Sequence, residues 1–152
     1  MIEEIRLISD QKEIKQLYEF IKRKPLDYPG YLDWLEKCKR ELELGCKKAF
    51  AYFAKDQIVA NIIFQRHKKD PLVLELKNGR VDEGYSGRGV FRKLIDEVEN
   101  YAKNEGFKRI VGDCHIENVE VIQVLEKLGF RVESAEKLYE KTRVESVLAK
   151  EL

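Results

Sequence analysis

Three glycines, Gly84, Gly87 and Gly89, stand in the stretch VDEGYSGRGVFRKL, directly ahead of a run with helical spacing. The first N–H groups of a helix lack intrahelical partners, and its dipole adds about half a positive charge there. Glycine lets an anion come close to such a backbone. The glycine-rich turn and the helix start that follows therefore suit a pyrophosphate-like group, with Arg88, Arg92 and Lys93 adding positive charge. The pattern GxxxxGK[ST] of a P-loop is absent, and the spacing GxxGxG differs from the GxGxxG of a dinucleotide-binding turn. On the glycines alone, a ligand-free turn and a nucleotide site both stay open. Other side chains able to do chemistry are Glu75 inside LVLEL, Cys114 and His115 inside RIVGDCHI, and Tyr139 near the end.

These residues need a frame. IRLIS reads as a first strand, and Asp10 with Glu13 resembles a capping box ahead of Ile14, Leu17, Tyr18 and Ile21. Pro25 ends that helix. LDYPGYLDWLEKCKRELELG offers a second, with Pro29 near its start and Gly45 past its end. KAFAYFAK and QIVANIIFQRH read as a hairpin turning at Asp56, and LVLELKN as the next strand. Phe91, Leu94, Ile95, Val98, Tyr101 and Ala102 form the apolar stripe of a helix closed by Gly106. RIVGDCHI is a strand, and Asn118 opens a helix with Val121, Ile122, Leu125 and Leu128 inward. A final antiparallel pair follows. The predicted architecture is α/β with a mixed sheet, in the order β-α-α-β-β-β-α-β-α-β-β, around a central right-handed parallel β-α-β crossover.

Composition narrows the rest. No linker or repeat interrupts the chain, so residues 1–152 are expected to form a single domain. The 29 basic and 28 acidic residues nearly cancel, which argues against a nucleic-acid or membrane-surface partner. Cys38, Cys46 and Cys114 make no CxxC pair, and read as free, mostly buried thiols of a reducing cytosol. With only His67 and His115 beside them, no metal site is expected. Met1 leads straight into an acidic, strand-like segment, which reads as a cytoplasmic protein without a secretory leader.

VDEGYSGRGVFRKLIDEVENYAKNEG resembles the coenzyme-binding motif of the GNAT superfamily of N-acetyltransferases, V-x-P-x-Y-[RQ]-x-x-G-x-[GA] followed by a long helix. NVEVIQVLEKLGF is similar to that family's second signature, N-x-x-A-[IV]-x-x-Y-x-x-x-G-F. The resemblance implies a GNAT-like domain using acetyl-CoA to acetylate a primary amine by direct attack in a ternary complex. It implies that the strand end at Val81 meets the pantetheine arm, that amides from Gly87 to Arg92 hold the pyrophosphate, and that Asn118 bonds the pantetheine. Three positions depart from the pattern: Ser86 replaces Arg or Gln, Phe91 replaces Gly or Ala, and Leu125 replaces the Tyr often assigned as acid. These departures keep open a rival reading, an acyl-CoA-binding sensor without turnover.

Acetyl transfer needs a neutral amine, and a primary amine near pKa ~10 is mostly protonated at neutral pH, so a base helps. Some GNAT members carry a basic glutamate at the spacing of Glu75, which makes it the candidate base; an outward-facing Glu75 in an alternating strand is the other reading. Tyr139 is the candidate replacement acid, with Cys114 behind it, and His115 reads as structural. In GNAT proteins the region of Tyr28, Tyr31 and Trp34 walls the acceptor side, although Trp34 reads equally as core. The acceptor is an amine on a small molecule or a protein or peptide. An exposed sheet edge leaves room for a homodimer.

Overall fold

Local signals place the first helix. In the computed structural model, which describes residues 2–26 and 29–152, Asp10 caps α1 (Gln11–Arg23) by accepting the Glu13 N–H at 2.8 Å. The Glu13 carboxylate reaches back to the Ser9 N–H at 3.4 Å, one residue before the position a strict capping box would use. Gly45, with φ +81°, ends α2 (Tyr31–Leu44), its N–H bonding back to the Leu42 carbonyl. The expectations on Tyr28 lie outside the described residues.

The full order is β1 (Glu3–Leu7), α1, α2, β2 (Lys48–Ala54), β3 (Gln57–Arg66), β4 (Val73–Val81), a short 3-10 turn (Glu83–Tyr85), α3 (Val90–Asn104), β5 (Arg109–His115), α4 (Val119–Lys127), β6 (Arg131–Glu136) and β7 (Glu145–Glu151). This is the predicted sequence of elements. Contacts divide the chain into two compact units, residues 1–65 with 78–98, and residues 66–77 with 99–152. Strand β4 contributes its end to the first unit and its beginning to the second.

In the first unit, β1 pairs antiparallel with β2, and β2 with β3. The β2–β3 hairpin turns on Lys55 and Asp56, both at positive φ (53° and 62°), the backbone of a two-residue type I′ turn. Helices α1 and α2 cover one sheet face through Leu17, Phe20, Ile21, Leu35 and Cys38, packed on Ala49, Ala51, Phe53 and Ile63. Phe50 and Phe64 stack at 5.7 Å on the same two strands. Covered on both faces, β2 and β3 read as near-continuous apolar runs rather than alternating ones. Trp34 packs partly buried against the helix cluster and stacks on Tyr31 at 5.9 Å.

Arg80, on β4, is buried among neutral partners. Its guanidinium donates to the Ile21 carbonyl (2.9 Å), the Lys24 carbonyl, the Tyr31 hydroxyl oxygen (3.0 Å) and the Asn78 side-chain carbonyl. Burial pulls its pKa below the ordinary arginine range. The carbonyls belong to the negative end of α1, so the cation serves as a C-terminal cap. Arg80→Met leaves those acceptors buried and unpaired. It is expected to destabilise the fold by about 3 kcal/mol, read as a lower urea midpoint at unchanged slope.

In the second unit, β4 pairs parallel with β5, with Val73 opposite Arg109 and Leu76 opposite Gly112. Strand β7 lies between β5 and β6 and is antiparallel to both. Ile110, Leu148, Phe107 and Phe130 are buried here. Of the four α4 residues expected inward, only Leu125 is fully buried; Val121, Ile122 and Leu128 are half-buried. The cysteine expectation is corrected likewise: Cys38 is buried, Cys114 half-buried and Cys46 exposed. No helix among the described residues is long and apolar enough to cross a membrane.

Candidate active site

The glycine-rich loop belongs to the first unit. The Asp82 N–H donates to the Val59 carbonyl at 2.8 Å, anchoring the end of β4 as the chain leaves Val81. After the 3-10 turn, Gly87 and Gly89 both take φ +75°, while Arg88 between them does not take a positive φ. Such alternation turns successive N–H groups into one concavity, an anion nest. Helix α3 then starts at Val90, and its first regular bond runs from the Lys93 N–H to the Gly89 carbonyl at 3.1 Å. The amides of Val90, Phe91 and Arg92 fall in the turn that helix geometry leaves without intrahelical acceptors.

A Cβ built on Gly87 or Gly89 meets nothing within 4 Å, so conformation and not crowding requires glycine there. Gly84 has neither a positive φ nor a close neighbour. Arg88, Arg92 and Lys93 are exposed, and the Arg88 guanidinium lies 5.0 Å from the Tyr85 ring centroid.

Other site residues gather in the second unit. Along β4 the even positions Leu74 and Leu76 are buried, whereas Glu75, Lys77 and Val81 share the half-buried face. Glu75 is half-buried. Its carboxylate pairs with Lys77 at 3.7 Å. Tyr139 stands in the connection between β6 and β7, and its hydroxyl donates to the Asp113 carboxylate at 2.8 Å. Sequence reasoning missed Asp113. Burial pushes its pKa up, the Tyr139 bond and Lys77 pull it down, and Glu145 and Glu75 push it up again. The two sequence candidates, Glu75 and Tyr139, thus both act on one carboxylate that neither pointed to. The signal available was an acid in the strand RIVGDCHI, an element otherwise suited to burial.

Cys114, beside Asp113 on β5, is pushed up to about 11 by burial and then by Asp113 and Glu145. At neutral pH its thiolate is about one molecule in ten thousand. Alkylation by iodoacetamide near neutral pH is expected to modify exposed Cys46 and spare Cys114, as a peptide map would show. His115 holds local structure, its Nδ1 accepting the Glu117 N–H at 3.1 Å. Asn118 caps α4 with its carbonyl, which accepts from the Ile122 N–H, and its side chain makes no capping bond.

The chain belongs to the Acetyltransferase (GNAT) family, whose sequence profile matches residues 12–130. It is an acyltransferase. A ribosomal-protein-serine acetyltransferase of Escherichia coli strain K12 is 24% identical over 138 residues, covering 81% of this chain and 76% of that protein. Among solved structures, the ribosomal-protein-S18-alanine N-acetyltransferase of Escherichia coli matches with a TM-score of 0.79 at 19% identity, covering 99% of this chain and 94% of that one. An acetyltransferase of Bacillus subtilis in complex with CoA matches with a TM-score of 0.73 at 18% identity, over 99% of each chain. These structural likenesses establish the fold.

Proposed function

We propose that the protein moves the acetyl group of acetyl-CoA onto a primary amine by direct attack in a ternary complex, with Asp113 taking the amine proton. The observation that carries this reading is the Asp113 carboxyl, half-buried, raised by desolvation and held by the Tyr139 hydroxyl at 2.8 Å. Amine nitrogen bonds to the acetyl carbon, the nitrogen gives its proton to Asp113, and the C–S bond breaks with its electron pair leaving on sulfur. A nitrogen already bonded to that carbon is far more acidic than a free ammonium, so a carboxylate suffices as acceptor. The thiolate, with a pKa of about 8.5, departs readily and takes up a proton afterwards. Leu125 in place of the usual Tyr is compatible with that order. Tyr139 orients the carboxylate through its hydroxyl. As the candidate replacement acid it would donate that proton to the departing sulfur only as Asp113, newly protonated by the amine, returns a proton to the tyrosine oxygen. Glu75 and Lys77 set the local field.

Direct attack is favoured over an acetyl-cysteine intermediate because the one thiol beside Asp113 is held protonated. Amides from Gly87 to Arg92 hold the diphosphate, and Val81 and Asn118 bond the pantetheine arm. The acceptor is an amine of a protein, a peptide or a small molecule; the ribosomal-protein acetyltransferases among the relatives favour a protein amine. The test incubates the purified protein with acetyl-CoA and a panel of peptide N-termini, lysine peptides and small amines. Free CoA thiol released in step with acetylated product supports the reading. No thiol release across the panel, with no thermal shift from acetyl-CoA, overturns it.

A further inference from the structure

Gly79, on β4, is the glycine the loop motif does not contain. Its φ is not positive, so its backbone is open to any residue; what it lacks is room. A Cβ there would stand 2.7 Å from Ile62 Cδ1 and 3.3 Å from Phe91 Cε1, the latter on the first turn of α3. The first distance is shorter than real Cβ contacts allow, and the second is tight enough that the ring must give by a few tenths of an ångström. The Phe91 ring thus lies on bare β4 backbone, half-buried, at the position where the family pattern has a small residue. A large side chain on that turn has to go somewhere, and the missing Cβ of Gly79 is where this one goes.

We infer that Gly79 and Phe91 form a positioning pair: the ring bedded on Gly79 sets the tilt of the first turn of α3, and with it the amides of Val90, Phe91 and Arg92. This rests on the reading that those amides hold the diphosphate of acetyl-CoA. Phe91 then acts as a wedge that replaces the close packing a small residue would allow. The same turn is tightly packed: Val90 is buried and Leu94, one turn on, is fully buried, so a displaced ring is not absorbed locally and its shift passes to the turn. The buried Ile62 meets the same slot from β3. Displacement by a few tenths of an ångström would move amides that must converge on one group, a situation in which small misplacements are costly.

The test is a coupled set of variants in the full chain, with acetyl-CoA binding measured by calorimetry and steady-state constants measured alongside. Gly79→Ala is expected to weaken acetyl-CoA binding about tenfold, raising its KM while kcat and the amine KM stay within about twofold. Adding Phe91→Ala to Gly79→Ala is expected to restore affinity to that of Phe91→Ala alone. Ile62→Val in the Gly79→Ala background removes the 2.7 Å overlap and leaves that with Phe91, so a folded protein with the same loss should result. Wild-type affinity in the Ile62→Val, Gly79→Ala protein overturns the inference, as does additive loss in the Phe91 double variant. Wild-type protein that binds no acetyl-CoA would instead remove the functional reading beneath it, and the inference with it.

Discussion

Asp113→Asn is expected to lower kcat/KM for acetyl transfer about a hundredfold or more, the range usual for loss of a general base. The same substitution is expected to raise the melting temperature at neutral pH. Asparagine still accepts the Tyr139 hydroxyl but carries no charge for the fold to desolvate. The sign follows from linkage: the Asp113 pKa is raised in the folded chain, so between its unfolded and folded values the native state holds the extra proton. Stability therefore falls as pH rises through that window and stays lower above it. The stabilising effect of Asp113→Asn should accordingly be present at neutral pH and vanish below the ordinary carboxylate range, which melting curves across pH would show. Activity has the opposite dependence, since a base works only when deprotonated. The acid limb of kcat/KM should sit above the usual carboxylate range and disappear in the variant. Glu75→Gln, by contrast, is expected to cost less than about fivefold. If Asp113→Asn kept wild-type turnover and Glu75→Gln lost it, the base would be Glu75.

Gly87→Ala and Gly89→Ala form the second large effect. Each places an L side chain at φ +75°, which costs roughly 1–2 kcal/mol although the space around it is open. Relief of that strain means rotating the peptide units whose N–H groups the nest aims inward. Acetyl-CoA affinity is expected to fall about tenfold at each position, as about 1.4 kcal/mol corresponds to tenfold. Gly84→Ala, with ordinary backbone and no close neighbour, should stay within about twofold. Equal losses at all three glycines would mean that the loop works by flexibility rather than by fixed amides. A calorimetric titration of the three variants separates the cases.

Much of this protein was legible as a string of residues because the relevant forces act locally. The Asp10 cap, the stop at Gly45, the hairpin at Asp56 and the stripe Leu94–Ile95–Val98–Ala102 depend on neighbours a few positions away. They appear in the structure where they were expected. The loop ahead of α3 was recognisable for the same reason, and the positive φ of Gly87 and Gly89 adds a conformational demand for glycine that the string of residues does not state. Contacts across the chain decided the rest. Which face of β4 carries Glu75 could not be read from alternation, which fits either side equally. Asp113 meets Tyr139 across 26 positions, only because β7 inserts between β5 and β6 and carries the preceding connection with it. Desolvation of that carboxyl is a property of the packed state, and no single segment contains it. Gly79 looked like an ordinary strand residue until Ile62 and Phe91 closed on it from other elements. Periodicity and capping act within a few residues and so are written in order along the chain, whereas burial, charge and steric fit are sums over whatever the fold brings together.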